Sequence, residues 1–142
     1  MPFKPKPLLV VYDPLRGHCL RVVPRMRQML EDRGFNVTVA TTEEAPADLE
    51  EFFGVVVGTP TTLRGEGPSD AIEAWIQRAQ ALDEKKVAVF STFWALPGRA
   101  LDRMRARLTE AGAEVVVEHA YWLARPAEGE HVLPAECMVR IR

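Results

Sequence analysis

The chain has 142 residues, of which 47% are hydrophobic, and its 18 basic and 20 acidic side chains give a formal net charge of −2. This length is enough for one hydrophobic core and too short for two comfortable domains, so we expect a single domain over residues 1–142. The nearly balanced charge gives no bulk electrostatic attraction to nucleic acid or to an anionic membrane.

Membrane, secretion and metal signals are also missing from the sequence. No apolar run approaches the roughly 20 residues that cross a bilayer, and the N-terminal MPFKPKP lacks the apolar core of a signal peptide, which predicts a cytoplasmic protein. The two cysteines, Cys19 and Cys137, are far apart, and the histidines have no metal-ligand spacing. We therefore expect neither a disulfide scaffold nor a metal site.

The first predicted elements are a buried strand and a helix. Leu8–Tyr12 (LLVVY) is a continuous apolar run, which is typical of a parallel strand covered on both faces. Apolar residues then recur at helical spacing at Cys19, Val23, Met26 and Leu30. Because Pro24 is tolerated only in a first turn, the helix is predicted to start near Leu20 or Arg21 after a long loop. Gly34 is expected to end it as a left-handed cap.

Strand and helix patterns alternate along the rest of the chain. Further strands are predicted at Phe35–Ala40, Gly54–Gly58, Lys86–Thr92 and Val115–Leu123. One helix, capped by Ser69 or Asp70, carries an apolar face of Ile72, Trp75, Ile76 and Ala79. The next buries Leu101, Met104, Leu108 and Ala111 and stops at Gly112. This alternation predicts an α/β fold with a doubly wound, parallel, five-stranded sheet and helices on both faces.

The tail, residues 124–142, breaks this rhythm. Apolar and polar residues alternate there with a strand period, so we expect a strand-like tail or a hairpin between Val115–Leu123 and His131–Ile141 in place of a closing helix. A missing helix would leave part of one sheet face uncovered. Exposed apolar surface of that size favours a homodimer, with a monomer as the alternative.

Three loops follow predicted strands, and ligands bind outside the carboxyl ends of the strands in open parallel sheets. They read DPLRGHC, TPTTLRGEGP and STFWALPG. The first leads into a helix, where backbone N–H groups and the helix dipole favour a phosphate. Gly17 would let the chain approach an anion, and Arg16, His18 and Arg21 could add positive charge. The alternative is an ordinary turn with solvated side chains.

The three loops resemble those of flavodoxins and flavodoxin-like domains over roughly residues 7–123. The family's first loop is commonly Ser/Thr-x-Thr-Gly-Asn-Thr, and only its glycine is kept in Pro14, Leu15, Arg16, Gly17, His18 and Cys19. The second loop, commonly Gly-Ser/Thr-Pro-Thr-Tyr with a later glycine and proline, matches at Gly58, Thr59, Pro60, Thr61, Gly65 and Pro68, with Thr62 replacing the aromatic. The third places Thr92 and an aromatic, Phe93 or Trp94, beside the site.

This resemblance implies a flavin mononucleotide, with its phosphate in the first loop and its isoalloxazine ring between the second and third. The implied cofactor-binding residues are those of the first loop, Pro14 to Cys19, together with Thr59, Pro60, Thr61, Thr62, Gly65, Thr92, Phe93 and Trp94. Loss of the first-loop hydroxyls removes donors to the phosphate, and a bidentate contact from Arg16 could replace part of them.

Three functions therefore stay open. The first is a flavin-dependent electron carrier or small reductase with a protein redox partner. The second is a flavin-free binding or regulatory domain that recognises another small anion through Arg16, Arg64 and the loop amides. The third is an interaction module that uses the tail or the basic residues of the last helix, Arg99, Arg103 and Arg107. The sequence has no GxSxG, GxGxxG or GxxxxGK[ST], which argues against hydrolase, dinucleotide and P-loop sites.

Overall fold

A computed structural model describes residues 5–61, 68–93 and 98–123 of the chain. Five strands form one sheet in the order β2-β1-β3-β4-β5, and every neighbouring pair is parallel. The strands are β1 (Lys6–Tyr12), β2 (Phe35–Thr41), β3 (Gly54–Pro60), β4 (Lys86–Phe93) and β5 (Glu114–Trp122). The helices of the described residues are α1 (Val23–Asp32), α2 (Asp70–Arg78) and α3 (Ala100–Glu110). The predicted flavodoxin-like α/β sheet is confirmed.

The core lies on both faces of the sheet, because successive side chains of a strand point to opposite sides. Leu8 and Val10 pack with α1 on one face, whereas Leu9 and Val11 pack with α2 and α3 on the other. All four are fully buried. Burial of each such side chain contributes about 1.5–3 kcal/mol, which is why β1 and β3 read as unbroken apolar runs. Trp75, expected in the core, is also fully buried.

The chain enters α1 later than predicted. Short 3-10 turns at Leu15–Gly17 and Cys19–Arg21 come first, and α1 begins at Val23 with Pro24 in its first turn. Proline lacks an N–H and fixes φ, so it fits that turn and no later one. Gly34 follows the helix with φ of +91°, as predicted for a left-handed cap.

The predicted cap of α2 and part of the predicted apolar face of α3 are confirmed. The Ser69 hydroxyl caps α2 by accepting a hydrogen bond from the N–H of Ile72 at 3.4 Å. On α3 the buried residues are Ala100, Met104 and Leu108. Ala111, predicted on this apolar face, is exposed instead, because the helix ends at Glu110 and the next residues turn away.

On the sheet face that carries α1, the apolar side chains of β4 and β5 are covered without a second subunit. Ala88, Phe90, Val117 and Tyr121 are at most 3% exposed within one chain. The expectation of an open apolar face therefore does not hold for these residues. The proposed hairpin strand at His131–Ile141 lies outside the described residues, and both the hairpin and the homodimer remain predictions.

Cys19 belongs to the core under the first loop. Its side chain is completely buried, and this burial raises the pKa of the thiol to about 12, although a hydrogen bond with Thr92 acts in the opposite direction. The negative charge of nearby Asp13 adds a smaller upward effect on the thiol pKa. A buried thiol that keeps its proton is chemically inert.

We expect Cys19 to resist alkylation by iodoacetamide at pH 8 in the folded protein and to react in urea, as mass spectrometry of its peptide would show.

The burial of Cys19 also predicts a pH dependence of stability. The unfolded thiol loses its proton near its ordinary pKa of 9.0, whereas the pKa of the folded thiol is about 12. The free energy of unfolding should therefore fall as pH rises between these values. Cys19→Ala should make that slope shallower, and an unchanged slope would contradict the assignment.

Gly58 allows β3 and β4 to pack closely. A Cβ at this position would overlap the ring of Phe90 on the neighbouring strand. Gly58→Ala should therefore lower the free energy of unfolding by about 1–3 kcal/mol, as other overpacked cores do. The matched test is the same substitution in a Phe90→Leu background, where denaturant unfolding should show a smaller loss. Equal losses in both backgrounds would mean that the ring is not the obstacle.

Candidate functional site

The loops after β1, β3 and β4 begin side by side at the carboxyl edge of the sheet. In the strand register, Tyr12 lies opposite Gly58, and Pro60 lies opposite Thr92. Backbone hydrogen bonds continue just past the strands, from the N–H of Asp13 to the carbonyl of Gly58 at 3.2 Å and from that of Thr61 to the carbonyl of Thr92 at 2.8 Å. The edge where ligands bind in this class of sheet therefore joins all three predicted segments.

The first loop turns through two residues with left-handed backbone conformation. Arg16 has φ of +55° and Gly17 has φ of +69°. A non-glycine residue at positive φ is uncommon and carries strain. A Cβ at Gly17 would meet no atom within 4 Å, so the space beside this residue is open. The loop thus presents Gly17 next to free volume, as the predicted anion loop requires.

Asp13 is a site residue that sequence reasoning missed. It is only 6% exposed, and its Oδ1 accepts a hydrogen bond from the N–H of Leu15 at 2.9 Å. This is the local pattern by which an aspartate stabilises a turn with its own backbone. The available signal was an Asp-Pro pair directly after a buried strand, which favours turn initiation.

Positive charge gathers on the outer side of the same loop. Burial and then the charges of Arg16 and Arg21 lower the pKa of His18 from its ordinary value, which favours the neutral imidazole. Arg16 is exposed, and no carboxylate of the described ranges forms an ion pair with it. The loop therefore offers at least one guanidinium to an anion.

The base of the second loop is closed by a side-chain hydrogen bond. Thr59 Oγ1 accepts from the N–H of Ser69 at 2.9 Å and donates to the carbonyl of Pro60 at 3.1 Å. This contact holds the end of β3 against the start of α2. Thr62 and Gly65 lie outside the described residues.

Three hydroxyls near this edge are buried without a hydrogen-bond partner in the part of the chain that the structure describes. They are Thr61 Oγ1, beyond β3, and Ser91 Oγ and Thr92 Oγ1, near the end of β4. Ser91 was not predicted as a site residue. Leaving a hydroxyl unpaired costs about 1–3 kcal/mol, so a ligand or water is expected to satisfy them.

Of the residues predicted in the third loop, the structure describes Thr92 and Phe93. Thr92 is fully buried, and its hydroxyl makes no well-formed hydrogen bond beyond its contact with the Cys19 thiol. Phe93 is half-buried at the end of β4, where its ring can contribute to a stacking surface. Trp94 lies outside the described residues.

The described residues fit the two ends of a flavin mononucleotide differently. Unpaired hydroxyls at Thr61 and Ser91 suit the polar edge of an isoalloxazine ring. At the phosphate end the fit is by charge, through Arg16 and Arg21, rather than by the lost hydroxyls.

The described residues contain no group of three or more His, Cys, Asp or Glu side chains that could hold a metal ion, and none of their helices is long and apolar enough to cross a bilayer.

Known proteins similar to this chain share its fold. The two-electron reduced flavodoxin of Megasphaera elsdenii superposes with a TM-score of 0.74 and 18% identity, covering 92% of this chain and 93% of that one. A mutant flavodoxin of Fusobacterium nucleatum, bound to flavin mononucleotide, has a TM-score of 0.64 and 16% identity, covering 78% of this chain and 68% of that one. A flavodiiron core from Synechocystis sp. PCC6803 has a TM-score of 0.74 and 16% identity, covering 95% of this chain and 34% of that one.

The sequence itself decides the family. No protein with a curated description matches the chain. The family model described as Flavodoxin matches residues 10–132, which is most of the chain. The protein therefore belongs to the flavodoxin family.

Proposed function

We propose that this protein binds flavin mononucleotide at the carboxyl edge of its sheet and acts as an electron carrier or small reductase. The observation that carries the proposal is the set of buried, unpartnered hydroxyls of Thr61, Ser91 and Thr92 at the ends of β3 and β4, where the N–H of Thr61 bonds the carbonyl of Thr92. Family membership supports the same cofactor, and one structural relative is described as bound to flavin mononucleotide. When bound, the flavin supplies the redox chemistry.

The chain's own residues bind and orient the ligand in this proposal. Thr61 and Ser91 hydrogen-bond the polar edge of the ring, and Phe93 gives it an apolar contact worth about 0.5–1.5 kcal/mol beyond burial. Arg16 neutralises the phosphate beside Gly17, with Arg21 adding charge. Thr62, Gly65 and Trp94 belong to the proposed site through the family resemblance.

A second candidate is a flavin-free domain on the same scaffold that binds another small anion. It is favoured by the first loop, which keeps the family's glycine but has Pro14, Arg16 and Cys19 where the family has hydroxyls, so that Arg16 adds an exposed cation. A thermal-shift screen with phosphorylated ligands would distinguish this candidate, because a ligand at 100 times its dissociation constant adds about 2.7 kcal/mol of stability.

The flavin function predicts that the purified protein quenches the fluorescence of added flavin mononucleotide at about micromolar protein concentrations. Arg16→Ala should weaken this binding at least about tenfold, because a hydrogen bond to a charged group contributes about 1.5–3 kcal/mol. The melting temperature should change little, since Arg16 is exposed.

The matched control is Arg103→Ala, which removes an exposed arginine from α3 and should leave flavin affinity unchanged. A protein that leaves flavin fluorescent at all concentrations would remove the function. Equal losses in both variants would remove the role of Arg16.

Assembly, partner and location are part of the same proposal. We expect a homodimer that exchanges electrons with a protein redox partner in the cytoplasm. Light scattering of the purified chain should give twice the monomer mass, and a monomer mass at high protein concentration would contradict the dimer.

A further inference from the structure

We propose that Asp13 sets the specificity of the site for the tail of its ligand, so that a terminal phosphate adds little affinity. The site should accept riboflavin, whose tail is a neutral polyol, about as well as flavin mononucleotide. This inference rests on the proposed flavin function and concerns the same site.

The first step is the position of the Asp13 carboxylate. Asp13 follows β1 directly, and its N–H is bonded to the carbonyl of Gly58 on β3 at 3.2 Å. The chain leaves β1 for the face that carries α1 and leaves β3 for the face that carries α2. This divergence between neighbouring strands is where open parallel sheets bind their ligands. A nearly buried carboxylate therefore lies at the start of the loop that is expected to bind the phosphate.

The second step concerns the donors that a phosphate would need. The N–H of Leu15 is already bonded to Asp13 Oδ1 at 2.9 Å. Those of Gly17 and His18 are bonded to the carbonyls of Pro14 and Leu15 at 2.9 and 3.4 Å. A phosphate bound by these amides would displace three acceptors of the loop itself. It would also face the like charge of Asp13, and both effects reduce what the phosphate contributes.

The third step is the opposing attraction of the exposed arginines for a phosphate. Arg16 and Arg21 are exposed, whereas Asp13 is buried at the inner end. Their attraction for a phosphate offsets the repulsion by Asp13 and leaves a small net effect. A polyol has no such conflict, because a carboxylate accepts hydrogen bonds from hydroxyl groups. Thr61 and Ser91 serve the ring and so do not distinguish the two flavins.

The test is a fluorescence titration of riboflavin and flavin mononucleotide into three proteins. They are the wild type, Asp13→Asn and the control Asp102→Asn. Asparagine keeps an Oδ1 that can accept from Leu15, so the turn is retained while the charge is lost. Asp102 is an exposed carboxylate on α3, and its substitution changes the net charge by the same amount.

The wild type and Asp102→Asn should bind the two flavins with affinities within about tenfold of each other. Asp13→Asn should bind flavin mononucleotide about tenfold more tightly and riboflavin unchanged. A wild type that prefers flavin mononucleotide by a factor of a hundred or more overturns the inference and leaves the flavin function standing, and so does an Asp13→Asn protein with an unchanged ratio. Absence of binding by either flavin overturns the function and the inference together. The wild-type ratio decides the matter even where a variant fails to fold.

Discussion

Strand β3 pairs with β1 on one side and β4 on the other over its apolar length, and the remaining structure depends on this double pairing. Both faces of β3 are covered, so it carries no polar side chain before Thr59. Gly58 marks this boundary, because the Phe90 ring fills the space of a side chain there. Because β1, β3 and β4 are paired in parallel, their carboxyl ends lie side by side, and the loops of the candidate site begin there.

Hydrogen bonding is distributed unevenly across the site. At the ends of β3 and β4, the hydroxyls of Thr61, Ser91 and Thr92 are buried and unpaired, so hydrogen-bonding capacity is left over on this side. In the first loop, by contrast, the N–H groups of Leu15, Gly17 and His18 are already bonded to Asp13 and to carbonyls of the loop itself. A flavin at this edge would therefore be held mainly through its ring, with charge rather than directed hydrogen bonds acting on its tail.

The α3 surface gives little structural support to the interaction-module function. Arg99, Arg103 and Arg107 are all exposed, and Arg107 forms ion pairs with Glu73 of α2 at 3.5 Å and with Glu110 at 3.8 Å. Exposed pairs of this kind contribute about 0–1 kcal/mol, since water and salt screen them. They are compatible with an ordinary solvated helix face. Because one fold hosts many functions, the carboxyl edge carries more functional information than this surface.

The sequence by itself determined the strands, the helices and the family, because buried parallel strands and amphipathic helices leave periodic patterns and the second loop keeps its motif. It also placed Pro24 in a first turn and Trp75 in the core. Only the tertiary structure decided that Asp13 is buried and hydrogen-bonded, that the Ser91 hydroxyl is buried and unpaired, and that Gly58 contacts the Phe90 ring. These features depend on which groups other strands and loops bring within hydrogen-bonding or van der Waals distance, and residue spacing along one chain does not encode those distances.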